Sequence, residues 1–182
     1  MIRTIGMIEL NSIARGIQVA DEMLKAAEVN LIFAKSVCPG KYVILITGNV
    51  GAVETAINHG MILGENYVVN KLILPNVHPQ VIPAITASGN IEKLKDLGVL
   101  EFFSIAAAIV AADAAVKSAN IDLIEVRLGV GIGGKAFVTF TGEISSVKNA
   151  VTVGAGTALE SGMLVNKAVI SGPSKELLQH LL

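Results

Sequence analysis

The chain repeats itself, and that constrains its fold more than any other feature. Displaced by 92 positions, Gly6, Glu9, Ser12, Ile13, Ala14 and Ile17 fall on Gly98, Glu101, Ser104, Ile105, Ala106 and Ile109. Ala20, Asp21, Lys25, Ala27, Leu31 and Ile32 fall on Ala112, Asp113, Lys117, Ala119, Leu123 and Ile124. Beyond these the displacement becomes 94: Gly40, Lys41, Thr47, Gly48, Val53 and Ala56 fall on Gly134, Lys135, Thr141, Gly142, Val147 and Ala150. The second copy therefore carries two extra residues between Ile124 and Gly134. Gly, Glu, Asp and Lys match along with the aliphatic residues, so shared hydrophobicity alone does not explain the pattern. Two homologous domains follow, 1–92 and 93–182, with the boundary in the polar stretch Ser88–Lys95. Units this small have thin cores, and pairing copies, then chains, is one physical remedy.

Each copy reads as the same series of elements. Thr4–Leu10 is a short apolar run, a strand. Ser12 is placed to cap a helix from Ile13 to about Ala27, whose apolar positions Ile13, Ile17, Ala20, Leu24 and Ala27 recur at helical spacing. Val29–Val37 and Tyr42–Thr47 form a hairpin turned at Pro39-Gly40. Gly48-Asn49 leads into a helix from Val50 to about Met61, then a strand at Val68–Leu74 and a short helix begun by Pro79. The second copy gives strands at Gly98–Phe103, Asp122–Leu128, Phe137–Thr141 and Leu164–Ile170. Its helices fall at Ile105–Ala119, Ser145–Leu159 and Lys175–Leu182. The expected fold class is α/β, of the α+β sandwich kind: twice over, a mostly antiparallel sheet with helices packed on it.

Composition excludes several functions. Of the 182 residues, 52% are hydrophobic and 16% charged, too apolar for disorder. No stretch approaches the roughly 20 apolar residues of a membrane span; the most apolar run, Ile105–Ala112, ends at Asp113. A net charge of −1 gives no footprint for a phosphate backbone, and 4% aromatics without Trp gives few stacking platforms. Neither a nucleic acid nor a membrane is an expected partner. Glu9 interrupts any apolar core of a leader at the start. A mean hydropathy of +0.65 leaves apolar surface to hide, which predicts an oligomer.

The chain has one cysteine, so no internal disulfide forms. Lone cysteines are commonly buried hydrophobes. Cys38 instead lies between two strands and is followed by Pro39 and Gly40, which shape a turn. Lys35 and Lys41 lie close in sequence, where their charge would favour the thiolate, the form that binds metal. The other reactive groups read as structural. His59, His78 and His180 lack ligand spacing, Glu9 and Glu101 recur near strand ends as hydrogen-bonding groups, and Ser12 and Ser104 cap helices. There is no catalytic triad, and no enzyme activity is expected. Gly129-Val130-Gly131-Ile132-Gly133-Gly134-Lys135 imitates a phosphate-binding loop. Ala136 stands where Ser or Thr would hold magnesium, and a strand follows instead of a helix.

The order strand, helix, hairpin, helix, strand, helix resembles the shell domain of bacterial microcompartments. Ile5–Glu9, Ala20–Ala27 and Pro39–Lys41 carry the resemblance in the first copy, and Gly98–Glu101, Ala112–Ala119 and Gly133–Lys135 in the second. The whole chain resembles the tandem-domain (BMC-T) shell proteins, in which three chains form a flat pseudo-hexagonal disc. Val37-Cys38-Pro39-Gly40-Lys41 is most similar to the propanediol-utilisation type among them. That resemblance implies a homotrimer in a microcompartment shell in the cytoplasm, with a [4Fe–4S] cluster on the threefold axis shared by three chains. One thiolate is too few for a cluster that takes four ligands, so three copies of Cys38 would ligate three irons, and water or a small ligand the fourth. Ser36, Val37, Pro39 and Gly40 would line the site, with N–H groups of Ser36, Val37 and Gly40 toward the cluster. The second copy has Gly129–Gly133 there, a longer, uncharged loop with room to retreat. The resemblance also places Lys25 and Lys117 at the disc rim, where shell proteins pack edge to edge. The arginine that small hexameric members carry after the last strand is missing from Leu74–Pro79 and Ile170–Pro173. Electron transfer across the shell would link encapsulated and cytosolic redox enzymes. Two other readings compete: a metabolite pore lined by Cys38 without a cluster, and a soluble thiol enzyme needing a resolving thiol from elsewhere.

Overall fold

A computed structural model describes residues 4–89, 91 and 93–179. Met1–Arg3, where the leader reading begins, lie outside them, as do Glu92 at the expected domain boundary, His180 and the end of the terminal helix. The chain divides into two compact units, 1–77 and 78–182.

The first unit contains strands β1 (Thr4–Leu10), β2 (Asn30–Val37), β3 (Lys41–Gly48) and β4 (Val68–Leu74), and helices α1 (Ile13–Ala26) and α2 (Val50–Gly64). Its sheet runs β2-β3-β1-β4, and every neighbouring pair is antiparallel. The helix starts follow the sequence: Ser12 Oγ accepts from Arg15 N–H (3.3 Å) and Asn49 Oδ1 from Ala52 N–H (2.9 Å), each satisfying an N–H that the first helical turn leaves open. Alternation along the strands sends Ile8, Leu10, Tyr42, Ile44 and Ile46 to one face, where they meet Val19 and Met23 of α1 and Val53, Ala56 and Ile57 of α2. A Cβ on Gly6 would sit 2.7 Å from Val53 Cγ1, so glycine is what lets α2 approach β1 there.

The second unit repeats this plan. A short helix α3 (Val81–Ile85) precedes β5 (Asp96–Phe102), α4 (Ile105–Ser118), β6 (Ile121–Leu128), β7 (Ala136–Gly142), α5 (Ile144–Gly156), β8 (Leu164–Ile170) and α6 (Lys175–Gln179). The sheet order is β6-β7-β5-β8, again antiparallel throughout. Gly98 is the counterpart of Gly6, but its space is taken by the cross-strand Phe140, whose ring would lie 2.2 Å from an added Cβ.

Two features go beyond the sequence reading. A 3₁₀ turn at Glu65–Tyr67 follows α2, opened by Glu65 at φ 48°. Residues 78–89, which the repeat assigns to the first copy, include α3, and α3 packs against β6 of the second sheet. No helix among the described residues is long and apolar enough to cross a membrane. Apolar side chains stay exposed nonetheless, among them Ile13, Ile17, Leu31, Ile62, Phe103 and Leu159.

Candidate metal centre

The last residues paired between β2 and β3 are Val37 and Lys41. The hairpin between them closes on a hydrogen bond from Gly40 N–H to the Val37 carbonyl (3.0 Å). Cys38 and Pro39 occupy its corners, joined by a cis peptide bond, which makes a type VI turn. Gly40 then takes φ +80°, a conformation suited to glycine. Cys38 thus projects from a hairpin tip and is partly exposed, unlike a cysteine packed in a core.

The neighbouring charges are directed elsewhere. Lys41 Nζ donates to Glu9 Oε1 (2.9 Å), and that carboxylate is almost wholly buried on β1. Lys35 Nζ lies over the Phe33 ring, 4.3 Å from its centroid. The Gly40 N–H is used within the turn. Among the described residues no group of three or more His, Cys, Asp or Glu side chains converges as a metal site. One chain therefore offers a single thiol at a tight turn, and its donor set fits a cluster only when other chains supply further sulfurs.

The equivalent loop of the second unit is built differently. Ser36 pairs with Tyr42, and their counterparts Leu128 and Ala136 pair likewise. Between these pairs lie Val37–Lys41 in the first unit and Gly129–Lys135 in the second, which locates the two extra residues of the repeat at the hairpin tip. Gly129, Gly131, Gly133 and Gly134 all have positive φ, from 65° to 80°. Gly129 N–H donates to the Lys135 carbonyl (3.0 Å) and Lys135 N–H to that of Ile132 (3.2 Å). Ala136 starts a strand, so the phosphate-loop imitation has no helix N-terminus behind it. Lys135 Nζ donates to Glu101 Oε1 (2.5 Å) beside a cleft lined by Gly131–Gly133 and Phe137. The matched glutamates thus serve as ion-pair partners of the matched lysines that close the two hairpins. Sequence reasoning gave these glutamates a hydrogen-bonding role without finding their partners, although the recurrence of Lys41 and Lys135 was the available signal.

The remaining candidates are dispersed. Lys25 pairs with Asp21 on the exposed face of α1, and that carboxylate with Glu22 raises its pKa above 10.5. Lys117 pairs with Asp113 on α4 (2.6 Å). Ser104 caps α4 through Ala107 N–H (3.3 Å) as Ser12 caps α1. His59 lies 4.0 Å from Glu22, and His78 Nδ1 accepts from Gln80 N–H (3.3 Å).

Known proteins bear out the architecture. The BMC domain matches the chain twice, at residues 4–77 and 96–173. The bacterial microcompartment shell protein PduT of Citrobacter freundii is 44% identical over 97% of this chain and 96% of its own. Carboxysome shell protein CsoS1 of Prochlorococcus marinus is 37% identical over 50% of this chain and 91% of its own, as expected of a relative matching one copy of the repeat. The crystal structure of a microcompartments protein from Desulfitobacterium hafniense DCB superposes with a TM-score of 0.94 at 52% identity, covering 97% of this chain and 98% of that one. PduT and CsoS1 are shell proteins, in line with a structural rather than catalytic role. The chain belongs to the BMC domain family of bacterial microcompartment shell proteins, with two such domains in tandem.

Proposed function

We propose that this shell subunit assembles as a pseudo-hexameric homotrimer in which three Cys38 thiolates converge on one [4Fe–4S] cluster at the central pore. The observation that carries the reading is the placement of the only cysteine, partly exposed, at the corner of a short turn, in a chain with no other converging ligands among its described residues. Rotational symmetry supplies what one chain lacks. When bound, such a cluster carries single electrons, here between redox partners on the two sides of the shell. Cys38 would hold iron as thiolate, the turn of Val37, Pro39 and Gly40 would fix its direction, and Ser36 would flank it. Gly129–Lys135, two residues longer and free of cysteine, leaves three sulfurs rather than six side chains at the axis. Lys25 and Lys117 would contact neighbouring shell proteins at the rim.

Anaerobically purified protein should contain iron and sulfide and give a paramagnetic resonance signal on reduction. Cys38→Ser should remove both and leave the oligomer intact. A second reading, a metabolite pore without metal, is favoured by two details: Lys41 is held by Glu9, and the Gly40 N–H by Val37, so neither faces the thiol. It predicts iron-free protein after anaerobic reconstitution and solute flux that changes with the size of residue 38.

A further inference from the structure

The two lysines that flank Cys38, one on either side of the turn, are each held by a partner of their own. Lys35 Nζ lies over the Phe33 ring (4.3 Å), and Lys41 Nζ donates to Glu9 Oε1 (2.9 Å). The second contact is built into the sheet. Glu9 pairs with Val43 across β1 and β3, so Lys41, two residues before Val43, is its diagonal neighbour on the same face. β1 lies between β3 and β4, and Met7 and Val43 beside Glu9 are fully buried. Little water reaches the Glu9 carboxylate, and a carboxylate so placed needs the ammonium.

The repeat shows that a pair at this position can also stand in water. Glu101 pairs with Phe137, and Lys135, two residues before Phe137, is again the diagonal neighbour. There the glutamate and lysine side chains are 33% and 41% exposed. The loop closed by that pair contains no cysteine. Of the two copies, the one that carries the cysteine is the one whose glutamate is buried.

We infer that Glu9 is a positioning residue for the Cys38 turn: by holding the Lys41 ammonium against β1, it keeps a cation away from the thiolate and from the anionic cluster that three such thiolates would bind. This rests on the cluster reading and names what sets the charge around it. Net charge near a cluster moves its potential. With Glu9 in place the pair adds no net charge beside the turn, and the cluster keeps the lower potential. Without Glu9, Lys41 is free on its flexible four-carbon stem to swing toward the sulfur. Threefold symmetry would then bring one ammonium from each chain.

Glu9→Gln removes the charge at nearly constant shape. In the full chain, freed of iron and reduced, Cys38 is alkylated with iodoacetate and, separately, with iodoacetamide. Both reagents attack the thiolate, so the ratio of their rates cancels its population and reports the local potential. Glu9→Gln should raise the iodoacetate-to-iodoacetamide ratio about two- to tenfold at low salt and less at high salt. Lys41→Met added to it should return the ratio to the wild-type value. A purely structural role would change both rates alike. An unchanged ratio in Glu9→Gln, or a raised ratio that Lys41→Met does not restore, overturns the role of Glu9. In anaerobically loaded protein, redox titration followed by paramagnetic resonance should place the Glu9→Gln cluster at a more positive potential and the double variant near the wild type. Equal potentials in wild type and Glu9→Gln also overturn it. Wild-type protein that takes up no iron overturns the cluster reading alone, and the alkylation ratio still decides what Glu9 does at the turn.

Discussion

The repeat contains its own control for the ion pairs that close the two hairpins. Lys41–Glu9 and Lys135–Glu101 occupy matched positions at 2.9 and 2.5 Å, but the Glu9 side chain is 6% exposed and that of Glu101 33%. Replacing either lysine by methionine keeps most of the aliphatic stem and removes the charge. At Glu9 this strands a buried carboxylate, and losing one partner of such a pair costs about 3–5 kcal/mol. Lys41 itself is 30% exposed, so water reaches the gap and about 2–4 kcal/mol is the working figure. At Glu101 water replaces the ammonium, and the cost falls to about 1 kcal/mol or less. For a unit of this size each kcal/mol shifts the melting temperature by roughly 4–8 °C. Lys41→Met should therefore melt roughly 10 °C or more below the wild type, and Lys135→Met within a few degrees, at one fixed protein concentration. Glu9→Gln with Lys41→Met should recover most of the loss, since no charge is then left buried. Equal losses from the two lysine variants would refute the reasoning, because distance rather than burial would then set the cost.

Other outcomes follow from single positions. Thr139 Oγ1 is buried and has no hydrogen-bond partner among the described residues, so Thr139→Val, nearly the same shape, should be neutral or stabilising by about 1 kcal/mol in chemical denaturation. Gly98→Ala places a Cβ against the Phe140 ring and should destabilise by about 1–3 kcal/mol; Gly98→Ala with Phe140→Leu, which vacates ring space, should recover part of it. The Lys25 pKa is raised by Asp21 and Glu22, so on the alkaline side the contribution of that ammonium is present at neutral pH and fades as pH climbs through a value above 10.5. Because both partners are solvent-exposed, Lys25→Met should barely move the melting temperature while reducing sheet formation seen by electron microscopy.

The elements were readable because their signals are local. Ser12 and Ser104 cap the helices their positions announce, and Thr4–Leu10, read as a short apolar run, is a strand from end to end, as are Val68–Leu74 and Leu164–Ile170. Extended hydrophobic pattern was enough for two antiparallel sheets. The 3₁₀ turn was not readable, since it depends on Glu65 adopting a left-handed φ that its residue type does not advertise. Residues 78–85 follow β4 in sequence, but their hydrogen bonds run to Asp113, Asp122 and Leu123, some 35 to 43 positions away. Pairing across such distances leaves no periodic trace. The candidate site shows the same division. The turn at Cys38 was legible from Pro39 and Gly40, whereas the turning of Lys41 toward Glu9 required the strand register that sets β1 beside β3.

In the proposed assembly, symmetry gathers one sulfur from each of three chains. Native mass spectrometry of protein purified and sprayed without oxygen tests it most directly, because it counts chains and inorganic atoms in one particle. Three chains should carry a single four-iron, four-sulfide cluster, which Cys38→Ser reduces to three bare chains. An intact wild-type assembly with no inorganic mass after anaerobic reconstitution, or with one iron centre per chain, would contradict it.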